Sequence, residues 1–106
     1  MKNERISGAF VPANYPALQE SLPGYLHEDF QEAHGTPAEA VETFRSEASE
    51  EEIQAVREEW QRLRKQFAER PLNELHGALV RLGIAWRPAS EEELRAIDEI
   101  LTRGKA

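Results

Sequence analysis

His27, Glu28, Asp29 and His34 fall within eight residues of one another. Side chains of these types can hold a metal ion or move a proton. His27 and His34 are seven positions apart and share a face if that stretch is helical. However, a His-x-Asp pair with a distant second His matches no tight chelate spacing such as His-Glu-x-x-His. A polar, solvent-facing helix edge accounts for the same residues. Acid pairs recur, among them Glu28 with Glu32 and Glu39 with Glu42. Paired carboxylates divide general-acid and general-base roles only when burial drives their pKa values apart, and on an amphipathic helix such acids lie on the wet side. The chain has no cysteine, which removes a disulfide scaffold, a thiolate zinc site and a thiol nucleophile. It also has no Ser-His-Asp ordering, no glycine loop for phosphate and no nucleophile elbow. The expectation is a protein that is not an enzyme and needs neither metal nor cofactor.

Charge placement is more informative. The 106 residues carry a net charge of −7. Residues 7–56 hold ten acids against one base, Arg45, whereas residues 57–106 are balanced at nine acids and ten bases. A surface built only for solubility normally mixes both signs. An anionic half of this kind repels nucleic acid and steers a cationic partner, acting on association rate more than on affinity. Direct nucleic-acid binding is not expected. The short apolar run Gly8 to Ala13 is too brief for a signal peptide, and no stretch is long enough to cross a bilayer. The cytoplasm is the expected compartment, with no membrane association.

The elements that must position these residues read as helices. Residues 1–14 lack a sustained period and form an extended or flexible arm, followed by a single domain over 15–104. Tyr15-Pro16 opens a helix carrying Leu18 and Leu22 one turn apart. Pro23-Gly24 re-aims the chain into a second short helix, Tyr25 to about Ala33, closed by Gly35. Thr36-Pro37-Ala38-Glu39, Ser49-Glu50-Glu51-Glu52 and Ser90-Glu91-Glu92-Glu93 each read as a capping box. The longest stripe is Ile53, Val56, Trp60, Leu63 and Phe67, which predicts a helix ending near Arg70, before Pro71. Leu72, Leu75, Leu79 and Leu82 predict a helix stopped by Gly83, and Leu94, Ile97, Ile100 and Leu101 a last one closed by Gly104. Trp86, in the connector before Pro88, suits the core better than an interface, because a small domain needs its aromatics inside. No alternating strand pattern is evident. The fold class is all-α, a compact bundle of about five helices with no sheet.

Tyr15-Pro16-Ala17-Leu18, followed by Tyr25-Leu26-His27-Glu28-Asp29-Phe30, resembles a helical family of immunity proteins from contact-dependent growth inhibition systems. That family opens on an aromatic-Pro-x-Leu helix and a Tyr-aromatic-His-Gln-Asp-aromatic segment. The motif residues are Tyr15, Pro16, Leu18, Tyr25, His27 and Asp29. Thr36-Pro37-Ala38-Glu39-Ala40-Val41 resembles the family's next helix start, and Ala48-Ser49-Glu50-Glu51-Glu52 its junction into the long helix. Leu82-Gly83 with Trp86-Arg87-Pro88 resembles its approach to the last helix. Leu26 replaces an aromatic, Glu28 an amide and Phe30 a tryptophan, each keeping apolar or polar character.

The resemblance implies a protein without chemistry of its own, which binds the toxic C-terminal domain of a cognate delivered effector inside the cell. Many such toxins are nucleases with basic clefts, and an acidic inhibitor surface mimics phosphate. The expected contacts are Glu28, Asp29, Glu32, Glu39, Glu42 and Glu47. The alternative is a small acidic regulatory or adaptor module that binds a different protein. Neither reading fixes the oligomeric state.

Overall fold

Proline, threonine, serine and glycine set the boundaries of this fold. The computed structural model describes residues 10–27 and 35–103. Pro12–Asn14 form a short 3-10 turn, and Pro16 then opens α1 (Pro16–Ser21). A proline at a first helical position gives up only an amide that would lack a partner anyway. Tyr15 supplies no side-chain cap; instead the Leu18 amide donates to the Glu59 carboxylate at 2.9 Å. A residue forty-one positions away thereby satisfies an orphan donor of α1.

A second 3-10 turn, Leu22–Gly24, follows. Here the structure departs from the sequence expectation, because Tyr25 to His27 are turn and bend rather than the start of a helix. The Tyr25 and Leu26 amides both donate to the Leu22 carbonyl, and the Leu26 carbonyl accepts from the Ala85 amide at 2.8 Å. The backbone at Leu26 is thus tied to the connector that passes beside it. The rest of that expected helix, up to Ala33, lies outside the described residues.

α2 (Pro37–Glu47) and α3 (Glu50–Gln66) each begin with a complete capping box. The Glu39 amide donates to Thr36 Oγ1 while Glu39 Oε1 accepts from the Thr36 amide, both at 3.1 Å. Ser49 and Glu52 repeat the exchange at 3.1 and 3.0 Å. Two orphan donors are satisfied at each end, and the acids face the positive pole of the helix. α3 ends at Gln66, four residues earlier than the sequence predicts. Beyond it the chain turns by tighter bonds, from Ala68 to the Lys65 carbonyl and from Arg70 to that of Phe67. Pro71 disfavours helical geometry at Arg70, and Phe67 is drawn inward against Phe10.

α4 (Leu72–Arg81) closes in a Schellman motif. Gly83, at φ +85°, donates to the Val80 carbonyl and Ile84 to that of Leu79, each at 2.9 Å. Leu79 and Ile84, which flank the motif, are both buried. The connector is extended, with Leu82, Ile84, Trp86 and Pro88 buried and Gly83, Ala85 and Arg87 exposed. α5 (Glu91–Thr102) lacks the expected capping box: Ser90 makes no cap bond. Glu93 reaches past it to the Ala89 amide at 3.1 Å and to Trp86 Nε1 at 3.2 Å.

The described residues contain five α-helices and no strand, so the chain is all-α. α1 packs on α3, and α2 and α3 pack on α5. Val56, Trp60 and Leu63 project from α3 into one core with Leu79, Leu94, Ile97 and Leu101. Trp60 and Trp86 stack with ring centroids 6.4 Å apart. Trp86 is only 4% exposed, so it is a core residue and not an interface anchor. No helix among the described residues is long and apolar enough to cross a membrane.

Candidate functional site

Two successive capping boxes place a run of carboxylates along α2 and the first turn of α3. Glu39, Glu42 and Glu47 are exposed on α2, and Glu50, Glu51 and Glu52 are exposed at the start of α3. The capping pattern places Glu39 and Glu50 to Glu52 at helix starts, where the dipole stabilises a carboxylate, whereas Glu42 and Glu47 lie further along α2. Glu28, Asp29 and Glu32 lie outside the described residues, as does His34.

The three expected contact acids that are described all have partners within the chain. Glu39 closes its capping box. Glu42 Oε2 accepts from Arg103 Nη2 at 2.9 Å, with both side chains about half exposed (47% and 50%). This bond to Glu42 holds the Arg103 guanidinium above its ordinary pKa. Glu47 Oε1 accepts from the Tyr25 hydroxyl at 2.6 Å. That bond, with a smaller contribution from burial, raises the Tyr25 phenol above its ordinary value of 10.0. The Tyr25 ring meets Phe44 edge-on at 5.6 Å.

Arg45, the lone base of residues 7–56, reaches α5. Its guanidinium donates to the Ile100 carbonyl, and Arg57 Nε donates to that of Leu101 at 2.9 Å. Both arginines therefore satisfy carbonyls at the C-terminal end of α5, where positive charge also suits the helix dipole.

The family-motif residues divide by depth. Tyr15 is 4% exposed and Leu18 fully buried, whereas Pro16 is exposed. The Tyr15 hydroxyl donates to Gln66 Oε1 at 2.6 Å, and Arg62 stands 4.9 Å from the ring centroid. Burial raises the Tyr15 pKa against the opposing pull of Arg62. Tyr25 and His27 are half-buried. Tyr15, Pro16, Leu18 and Tyr25 thus build the α1 corner rather than a reactive centre.

Sequence reasoning overlooked a second polar cluster. Asp98 accepts from Trp60 Nε1 at 2.6 Å and from Arg64 Nε and Nη2 at 3.0 Å each; Arg64 also reaches Glu91 at 2.6 Å. The bond to Asp98, opposed in part by desolvation, holds the Arg64 guanidinium above its usual pKa. Asp98 occupies one turn of α5 and Trp60 and Arg64 one face of α3, so the cluster fastens two helices together. Its only sequence signal is the i,i+4 spacing of Trp60 and Arg64. Among the described residues, no three His, Cys, Asp or Glu side chains are grouped so as to hold a metal ion. The described part of the arrangement is a row of exposed carboxylates carried on α2 and the start of α3.

Comparison with curated proteins and with solved structures gave no match. The family model described as CdiI immunity protein matches residues 14–96, from the residue before Tyr15-Pro16 to the middle of α5. That span exceeds half of the chain, and the chain therefore belongs to the CdiI immunity protein family.

Proposed function

We propose that this chain binds the C-terminal toxin domain of one cognate contact-dependent growth inhibition effector in the cytoplasm and neutralises it through its acidic surface. Family membership implies toxin neutralisation in such a system and binding to a cognate toxin; the match over residues 14–96 carries the reading. Members of such a family are generally not enzymes. The finer statement concerns which surface binds. The exposed carboxylates of Glu39, Glu42 and Glu47 support it, and Glu28, Asp29 and Glu32 complete the same acidic half of the sequence. A toxin with a basic substrate cleft is the partner that such a face fits, since opposite potentials accelerate encounter and fix orientation.

The test pairs the chain with the C-terminal domain of the effector encoded beside it. Protection of cells expressing that domain, together with one-to-one binding by titration calorimetry, is the expected result. Absence of both protection and binding would overturn the reading and leave an acidic adaptor module for a different protein.

A further inference from the structure

Where the segment before α1 meets the ends of α3 and α4, the rings of Phe10, Tyr15 and Phe67 form one cluster. Phe10 lies 5.5 Å from Tyr15 and 5.9 Å from Phe67, between ring centroids. Arg62 stands over Tyr15 at 4.9 Å and Arg81 over Phe10 at 5.5 Å, and both arginines are exposed. Their hydrogen bonds go to backbone carbonyls, Arg62 Nη2 to Asn14 at 2.9 Å and Arg81 Nη1 to Phe10 at 3.5 Å. Among the described residues neither forms an ion pair. The acids nearby are engaged elsewhere: Glu59 accepts from the Leu18 amide, and Glu74 pairs with Arg70 at 3.7 Å. Val11 (41% exposed) and Val80 (51%) are the exposed large hydrophobic side chains among the described residues, and they are the sequence neighbours of Phe10 and Arg81.

Resting on the immunity reading above, we propose that this corner is a second contact surface for the toxin and receives a patch of it that carries carboxylates beside apolar groups. Two cations without a carboxylate partner, in a chain of net charge −7, lie next to the apolar side chains left in water. Each guanidinium offers a planar fork that matches a carboxylate. The rings beneath hold it in place, so little side-chain freedom is lost on binding. Arginine with adjoining apolar area is the composition of an interface anchor. A cationic patch would be repelled, and a purely apolar one would desolvate two charges without an acceptor. The net charge opposes a long polyanion such as nucleic acid, which leaves protein carboxylates as the better fit. Arg62 lies eleven residues beyond Glu51 on α3, about 16 Å along the helix axis. A toxin that meets both ends of α3 must therefore present opposite charges at that separation, which fixes its orientation.

The test uses the full chain and the cognate toxin domain, with binding measured by calorimetry. Arg62→Gln/Arg81→Gln removes the two cations of the corner. The control Arg87→Gln/Arg95→Gln removes two cations from exposed positions on the connector and α5. Both pairs make the chain more negative, so steering toward a cationic toxin alone predicts equal or tighter binding for each. The corner predicts a loss of about tenfold or more for the first pair and none for the control. Val80→Gln removes exposed apolar surface while leaving both arginines on their rings, and should weaken binding by about threefold or more. It keeps the test decisive if thermal unfolding shows that the arginine pair disturbs the fold. Binding as tight as the parent by the arginine pair or by Val80→Gln, or equal losses for the arginine and control pairs, would overturn the corner. Failure of the unaltered chain to bind or protect would instead refute the immunity reading itself.

Discussion

Replacing Glu39 separates two tasks that one carboxylate performs. It closes the capping box of α2 by accepting from the Thr36 amide, and it contributes negative charge to the exposed surface. Glutamine keeps the acceptor and removes the charge; lysine removes the acceptor and places a cation at the positive end of the helix. From cap and dipole energies, Glu39→Lys should cost about 1.5 kcal/mol, and Glu39→Gln only a few tenths. For a domain of this size the Tm loss is then roughly 7 °C for lysine and about 1–2 °C for glutamine. Association with the toxin should follow charge rather than stability. The on-rate at low salt falls for Glu39→Gln and falls further for Glu39→Lys, and neither change steepens the salt dependence. At ~1 M salt, where screening acts within ~3 Å, the three on-rates converge. Scanning calorimetry and stopped-flow mixing read the two quantities separately. Equal Tm losses for both variants would refute the cap assignment. An unchanged low-salt on-rate for both would refute steering by α2.

Four further outcomes follow from the geometry. Asp98→Ala leaves Trp60 Nε1 without its acceptor and strips Arg64 of a two-pronged bond, at side chains only 19% (Arg64) and 32% (Asp98) exposed. The cost should be about 3 kcal/mol by urea denaturation, and about 1 kcal/mol for Asp98→Asn, which keeps an acceptor; identical midpoints for all three proteins would refute the role. Gly83→Ala should destabilise by about 1 kcal/mol, because φ is +85° there although the new methyl meets only ordinary contacts. Gly77→Ala, inside α4 with open space around it, should stabilise by about 0.5–1 kcal/mol. Both signs are readable from Tm. Tyr15 and Tyr25 both hold their protons above the ordinary value of 10.0, so their contribution to stability is complete below pH 10 and is lost as pH rises through their folded values. In a phenolate absorbance titration Glu47→Ala should bring one tyrosine back toward 10.0 and leave the other raised; no movement of either would show that the Glu47 bond is not the cause.

The parts legible in the sequence were those that local rules determine. Thr36–Glu39 and Ser49–Glu52 are reciprocal bonds over three residues, so the sequence alone contains all their atoms. The Ile53 to Phe67 stripe and the Gly83 stop are likewise local. Failures occurred where a distant residue took over a local task. Glu59 caps α1 from another helix, and Glu93 passes over Ser90 to bond Ala89 and Trp86. The Leu26 carbonyl is bonded to Ala85 in a segment whose alternation, Leu82, Ile84, Trp86 and Pro88, is present in the sequence but too short to stand out among helices. The acidic surface was visible as composition. That Glu42 and Glu47 each serve a bond inside the chain was not, because Arg103 and Tyr25 meet them only after folding.

The polarity of the surface therefore has a structural cause. Two arginines close to the acids in sequence, Arg45 and Arg57, donate to carbonyls in the last turn of α5. Turning either outward to neutralise the α2 and α3 carboxylates would give up a bond to the last turn of α5. Folding thus draws these two bases to α5, while Arg103 stays at the surface as the partner of Glu42. A partner that offers cations from outside meets carboxylates while these two arginines are already engaged at α5. This arrangement explains how residues 7–56 keep an excess of exposed carboxylates with few counter-charges beside them.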